Sequence, residues 1–190
     1  MSEIQAAGLT FTSTAVVRRS VAILAGALIV ALGAQIAIPL PMTPVPITLQ
    51  VPAVLIVGGL LGPAVAASSM VAYLALGAAG LPVFAPTAPS GIARLLGPTG
   101  GYLLAYPLAA AVTGRLVGQG RSWWLIAAGL VAGTAVIHLG GVMQLAVLTG
   151  DLGAAVQMGS LPFLWLDLLK LFVAALILRR FASTNIRARL

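Results

Sequence analysis

Acidic residues are nearly missing from this chain of 190 residues: three Asp and Glu stand against ten Lys and Arg. A soluble domain is about one-quarter charged. Here 7% is charged and 61% hydrophobic, the balance of a chain whose solvent is lipid. Cysteine is absent, which excludes disulfides and thiolate metal sites. The one lysine, Lys170, is followed by leucine, so there is no Gly-Lys-Ser/Thr loop to hold ATP. Glu3, Asp151 and Asp167 are scattered, and neither HExxH nor GxSxG occurs. No metal, cofactor or catalytic constellation is expected, so uphill movement of a ligand would draw on a partner or an ion gradient. The net charge of +7 raises nucleic acid as a partner, which requires a basic face with exposed aromatics. The arginines lie instead in short clusters between apolar runs, and no nucleic acid is expected.

What is abundant is apolar sequence. Arg18 to Gln35 has the layout of a secretory signal, but the apolar character continues along the chain, so it reads as a retained first helix. Spans of about 20 residues are expected at 20–38, 50–62, 63–79, 98–117, 123–149 and 160–180, within one transmembrane domain over 1–190. The break between the second and third rests on Gly58–Pro63 alone; one interrupted helix there would change the count. Basic residues collect on the cytoplasmic side. Six spans with both termini cytoplasmic put Arg18, Arg19, Arg115, Arg121, Arg179, Arg180, Arg187 and Arg189 together on that side, whereas five would scatter them. Trp123 and Trp124 suit the interfacial aromatic belt. The expected fold is an all-α, six-helix membrane bundle.

Arg94, in an outer loop, and Lys170, inside the sixth span, are not explained by orientation. Asp167 and Lys170 are three residues apart and share a helical face. They lie roughly 10–15 Å below the outer end near Ser160. A charge at such depth costs about 2.5–3.5 kcal/mol on insertion scales and marks function by default. Gln35, Gln50, Gln144 and Arg94 fall in the same outer half, so a polar cup open to the outside is expected, suited to a small, partly apolar anion. Tyr102 lines that cup or sits at the outer interface. Trp165, about 200° round the helix from Asp167, faces away. His138, the lone histidine, reads as hydrogen-bonded packing. A self-neutralising Asp167–Lys170 pair kept for register is the competing interpretation.

"PLPMTPVPITLQ" (39–50) carries four prolines and should be extended, stiff and long enough to lie over the cup as a lid. "GPTGGY" (97–102) permits close backbone approach, and the helix it opens offers free N–H groups. On the first helix, Ala22 with Gly26 and Ala27 with Ala31 form small-residue pairs at which a partner helix could pack.

The stretches "PMTPVPITLQ", "GLPVF", "LLGPTGGYL" and "DLLK", in this order, resemble the BioY family over about Val21 to Arg180. These are the biotin-specific substrate-binding (S) components of energy-coupling factor (ECF) transporters. The resemblance implies a six-helix S-component in a bacterial cytoplasmic membrane, biotin as ligand, a cap between the first two helices, and as partners a transmembrane coupling subunit and cytoplasmic ATPases. It puts Asp167 and Lys170 against biotin, with Arg94 as a further binding residue. A carboxylate suits ureido N–H groups, and cations suit biotin's carbonyl or carboxylate. An S-component for another vitamin, a stand-alone proton-coupled carrier and an intramembrane acid–base enzyme are the competing readings.

Overall fold

Where prolines enter after residue 38, helix gives way to strand. A proline lacks a donor and disfavours helical geometry in the residue before it. Helix α1 (Ser2–Gln35) therefore stops short of residue 38, and Ala37–Leu40 (β1) and Thr43–Thr48 (β2) form an antiparallel hairpin pairing Ala37 with Thr48, Ile38 with Ile47 and Leu40 with Thr43. The expected extended segment is thus present, its strands paired along their facing edges; among the described residues it is the one sheet. This computed structural model describes residues 2–88, 90–118 and 122–181, with side chains from Thr14 onward. Arg121, Arg187 and Arg189, on which part of the orientation rests, lie outside the described residues.

Helices α2 (Gln50–Leu61) and α3 (Pro63–Ala78) are separate. Gly62 stands between them at φ 83°, a conformation that favours glycine, and Pro63 opens α3 where its missing N–H costs nothing. The short helix α4 (Ile92–Leu96) lies in the loop before α5 (Gly100–Gly118) and was not expected. Helix α6 (Trp123–Thr149) has the expected bounds. The last expected span, 160–180, is present with a 3₁₀ turn at its start, and a short helix that was not expected precedes it. Asp151 caps α7 (Leu152–Gly159) by accepting from the Gly153 and Ala154 N–H groups at 2.7 and 3.2 Å. A 3₁₀ turn at Leu161–Phe163, carrying Pro162, then leads into α8 (Leu164–Phe181).

Among the described residues, three stretches are long and apolar enough to cross a membrane: Thr14–Gln35, Trp123–Thr149 and Leu152–Phe181. Val17, Val21, Leu24 and Leu28 on α1, and Leu168, Leu169 and Phe172 on α8, are exposed, a belt that suits hydrocarbon. The core runs through Val54, Leu55, Met70, Tyr73, Ile126, Leu130 and Ile137. Glycine brings α5 and α6 together: a Cβ on Gly101 would overlap the Gly140 carbonyl oxygen. The small residues of α1 serve packing within the chain. Gly26, Ala27 and Ala31 are buried, and a Cβ on Gly26 would lie 2.8 Å from the Ser69 Cβ of α3, so only the half-buried Ala22 stays partly open to a partner.

Candidate functional site

Strand β2, α2, the loop at 81–85, α4, α5, α6 and α8 surround one cavity of about 580 Å³, mouth included. Its walls are mainly apolar, from Val45, Ile47, Phe84, Leu103, Ile137 and Phe163. The lining also includes Thr48, Gln50, Arg94, Thr99, Tyr102, Tyr106, His138, Asp167 and Lys170. Asp167, Lys170, Arg94, Gln50 and Tyr102, which the sequence assigned to one cup, therefore do converge. β2 of the proline-rich hairpin forms one side.

Asp167 sits in the first turn of α8, with Lys170 three residues on. Lys170 Nζ donates to Asp167 Oδ1 at 3.2 Å, and Oδ2 lies 2.8 Å from His138 Nε2. Ser160 Oγ is 3.1 Å from the other ring nitrogen, Nδ1. One carboxylate is thus held from both sides. The imidazole is boxed by Tyr102 (centroids 6.3 Å apart, near-perpendicular) and Phe163 (6.4 Å). Tyr102 O–H donates to the Gly159 carbonyl at 2.6 Å, tying α5 to the turn that carries Ser160.

Gln50 is also committed: its Nε2 donates to the Tyr73 hydroxyl at 2.6 Å, and its Oε1 accepts from Thr48 at 3.1 Å. Tyr73 meets Phe84 edge-on and stacks on Tyr106, which makes a rigid aromatic wall.

Arg94 is placed differently. Nη2 donates to Thr87 Oγ1 at 3.1 Å, Nε is buried without a partner, and among the described residues no carboxylate pairs with it. Burial lowers the guanidinium from its ordinary pKa, and the nearby Tyr73 and Tyr106 oppose this. A desolvated cation with an open donor gains from an incoming anion. With Lys170 set against Asp167, Arg94 leaves the lining one positive charge in excess.

Two glutamines expected in the cup are elsewhere. Gln144 Nε2 donates to the carbonyls of Leu95 (3.0 Å) and Gly97 (2.6 Å), pinning the α4–α5 connection from behind, and does not line the cavity. Gln35, exposed, donates to the Ala31, Pro82 and Phe84 carbonyls and anchors the loop after α3. Helical rise gives depth below the surface, and both glutamines have the right depth; azimuth and neighbouring loops decide what they touch. His138 is hydrogen-bonded, as expected of it, and what the sequence did not show is its partner. It contacts the central carboxylate across 29 residues of sequence, a pairing no local spacing announces. Trp165 is 82% exposed and points away, as expected.

Comparison with known proteins returns one kind of relative. The family model described as BioY family matches residues 5–187. The biotin transporter BioY of Thermotoga maritima is 42% identical over 159 residues, 83% of this chain and 92% of that protein. The probable biotin transporter BioY of Pyrococcus horikoshii is 43% identical over 148 residues, 78% of this chain and 86% of its own. A crystal structure of the S-component for biotin from an ECF-type ABC transporter superposes with TM-score 0.79 at 28% identity, covering 90% of this chain and 94% of that one.

Proposed function

The chain belongs to the BioY family, and from that membership we propose that it captures biotin for uptake, as the substrate-binding S-component of an ECF-type importer. The observation that carries this is the chemical pattern of the cavity. On a cyclic urea, each N–H lies beside the carbonyl oxygen, so one edge offers a donor next to an acceptor. Asp167 and Lys170, 3.2 Å apart, offer the complement, an acceptor next to a donor. Arg94, the cation without a carboxylate, takes biotin's carboxylate and cancels the surplus charge. The thiophane ring and aliphatic chain then lie along the apolar walls. Gln50 and Tyr102 shape the walls, and the hairpin caps the site.

The protein is a multi-pass membrane protein, which we read as six spans in a bacterial cytoplasmic membrane with both termini cytoplasmic. The grouping of arginines supports that orientation. Helix α2, 12 residues long and about 18 Å by its rise, is short for a span of about 30 Å. The hairpin over its start completes it, lying towards the outer surface where the open edges of its two strands can meet water. Energy comes from a transmembrane coupling subunit with cytoplasmic ATPases, in keeping with a sequence that has no phosphate loop.

The test is to purify the protein from biotin-fed and biotin-depleted cells, denature it and quantify the ligand released. Biotin near one per chain from fed cells alone is expected. None from either preparation overturns the reading, and a different vitamin in its place would redirect it.

A further inference from the structure

Asp167 can serve as an acceptor only if its two oxygens point where the ligand needs them. A carboxylate on a two-torsion side chain does not hold itself. An ionised carboxylate has about four lone-pair sites. Lys170 takes one on Oδ1, and the His138 contact takes one on Oδ2. Lysine is a flexible point charge on a long stem and fixes direction poorly. His138 has little freedom, since α6 carries it and Tyr102 and Phe163 flank its ring.

We propose that His138 is a positioning residue for ligand recognition: as the neutral Nε2–H tautomer, held so by Ser160, it sets the Asp167 carboxylate for the ligand. The tautomer follows from the partners. An ionised carboxylate can only accept, so the proton between His138 and Asp167 belongs to Nε2. The Ser160 hydroxyl lies 3.1 Å from Nδ1 and can donate or accept there; assigned as the donor to that nitrogen, it leaves no room for a second ring N–H. Ser160 is itself fixed. Its N–H donates to the Val156 carbonyl at 3.0 Å, its carbonyl accepts from Phe163 N–H at 3.1 Å, and the preceding Gly159 carbonyl is held by Tyr102. The break between α7 and α8 therefore has a use. An uninterrupted helix would carry Ser160 along its own axis, whereas the turn at 160–163 delivers the hydroxyl to one side of the imidazole as α8 delivers Asp167 to the other. The serine, histidine and aspartate together hold an acceptor in place and perform no chemistry.

This rests on the biotin reading only for the choice of ligand; the tautomer is testable without one. Because the chain has one histidine, imidazole-15N labelling of protein purified through a histidine-free tag reports that ring alone. Expected are a proton on Nε2 and none on Nδ1 in ligand-free protein. A proton on Nδ1 overturns the proposal. For binding, His138→Gln keeps a donor at the Nε2 position and should hold biotin within about threefold of the parent, while His138→Leu should lose about 10- to 100-fold, the worth of one hydrogen bond to a charged group. Ser160→Ala should weaken binding by about three- to tenfold in the parent and have no further effect in the His138→Gln background, since the serine acts through the ring. Equal losses in Gln and Leu variants, or a Ser160→Ala effect undiminished by His138→Gln, would sink the idea. The Gln and Ser160→Ala variants remain informative if His138→Leu does not fold. A parent with the expected ring spectrum but no affinity for biotin would instead refute the ligand assignment.

Discussion

Asp167 and Arg94 line the same cavity on opposite terms. The carboxylate is held from both sides by Lys170 and His138, while the guanidinium has one hydrogen bond, to Thr87, and a buried Nε with none. The first is a preorganised group, whose cost was met when the chain folded and whose remaining lone pairs have fixed directions. The second is a desolvated cation with an open donor, which an anion would satisfy. A ligand with a neutral donor–acceptor edge at one end and a carboxylate at the other fits that asymmetry, and biotin has both.

Four substitutions would break or sharpen the contrast. The largest effect is expected at the preorganised end. Asp167→Asn removes the charge, turns one acceptor oxygen into a donor and leaves Lys170 unneutralised, and Lys170→Met leaves the carboxylate buried against one neutral donor. Each should weaken biotin binding by about a hundredfold or more, measured by calorimetry on protein still inserted in membranes. Losses smaller than those at Arg94 would reverse the ranking and make the pair structural. Next, Arg94→Ala should cost about 10- to 100-fold for biotin but no more than about threefold for its uncharged primary amide. An equal loss for acid and amide would remove the carboxylate from Arg94. The smallest effect on binding belongs to Gln144→Ala, which should leave affinity within about twofold while lowering thermal stability by about 1–2 kcal/mol through two lost hydrogen bonds. A large loss of affinity without loss of stability would return Gln144 to the site.

The break at Gly62–Pro63 was legible because glycine and proline act on the backbone locally. The end of α1 and the extended hairpin strands were legible for the same reason, through Pro39, Pro41, Pro44 and Pro46. Asp167 and Lys170 were legible because charge inside an apolar run is conspicuous and i,i+3 spacing fixes their common face. Asp151, a capping residue ahead of an apolar stretch, was a signal for α7 that went unused, as was Pro162 for the break before α8. The placing of Gln144 and the partner of His138 were not legible, for a different reason. Both residues lie on α6, six residues apart, and what each touches is set by loops and helices at least 22 residues distant in sequence.

By itself, then, the sequence determined a lipid-solvated helical chain, the points where its helices must stop, and a charged pair on the last helix, since these follow from composition, proline and glycine chemistry, and helical period. Only the tertiary structure decided which polar side chains share the cavity. Rotation of each helix about its axis is set by packing such as Gly101 against Gly140, and it put His138 beside Asp167 while turning Gln144 behind the wall.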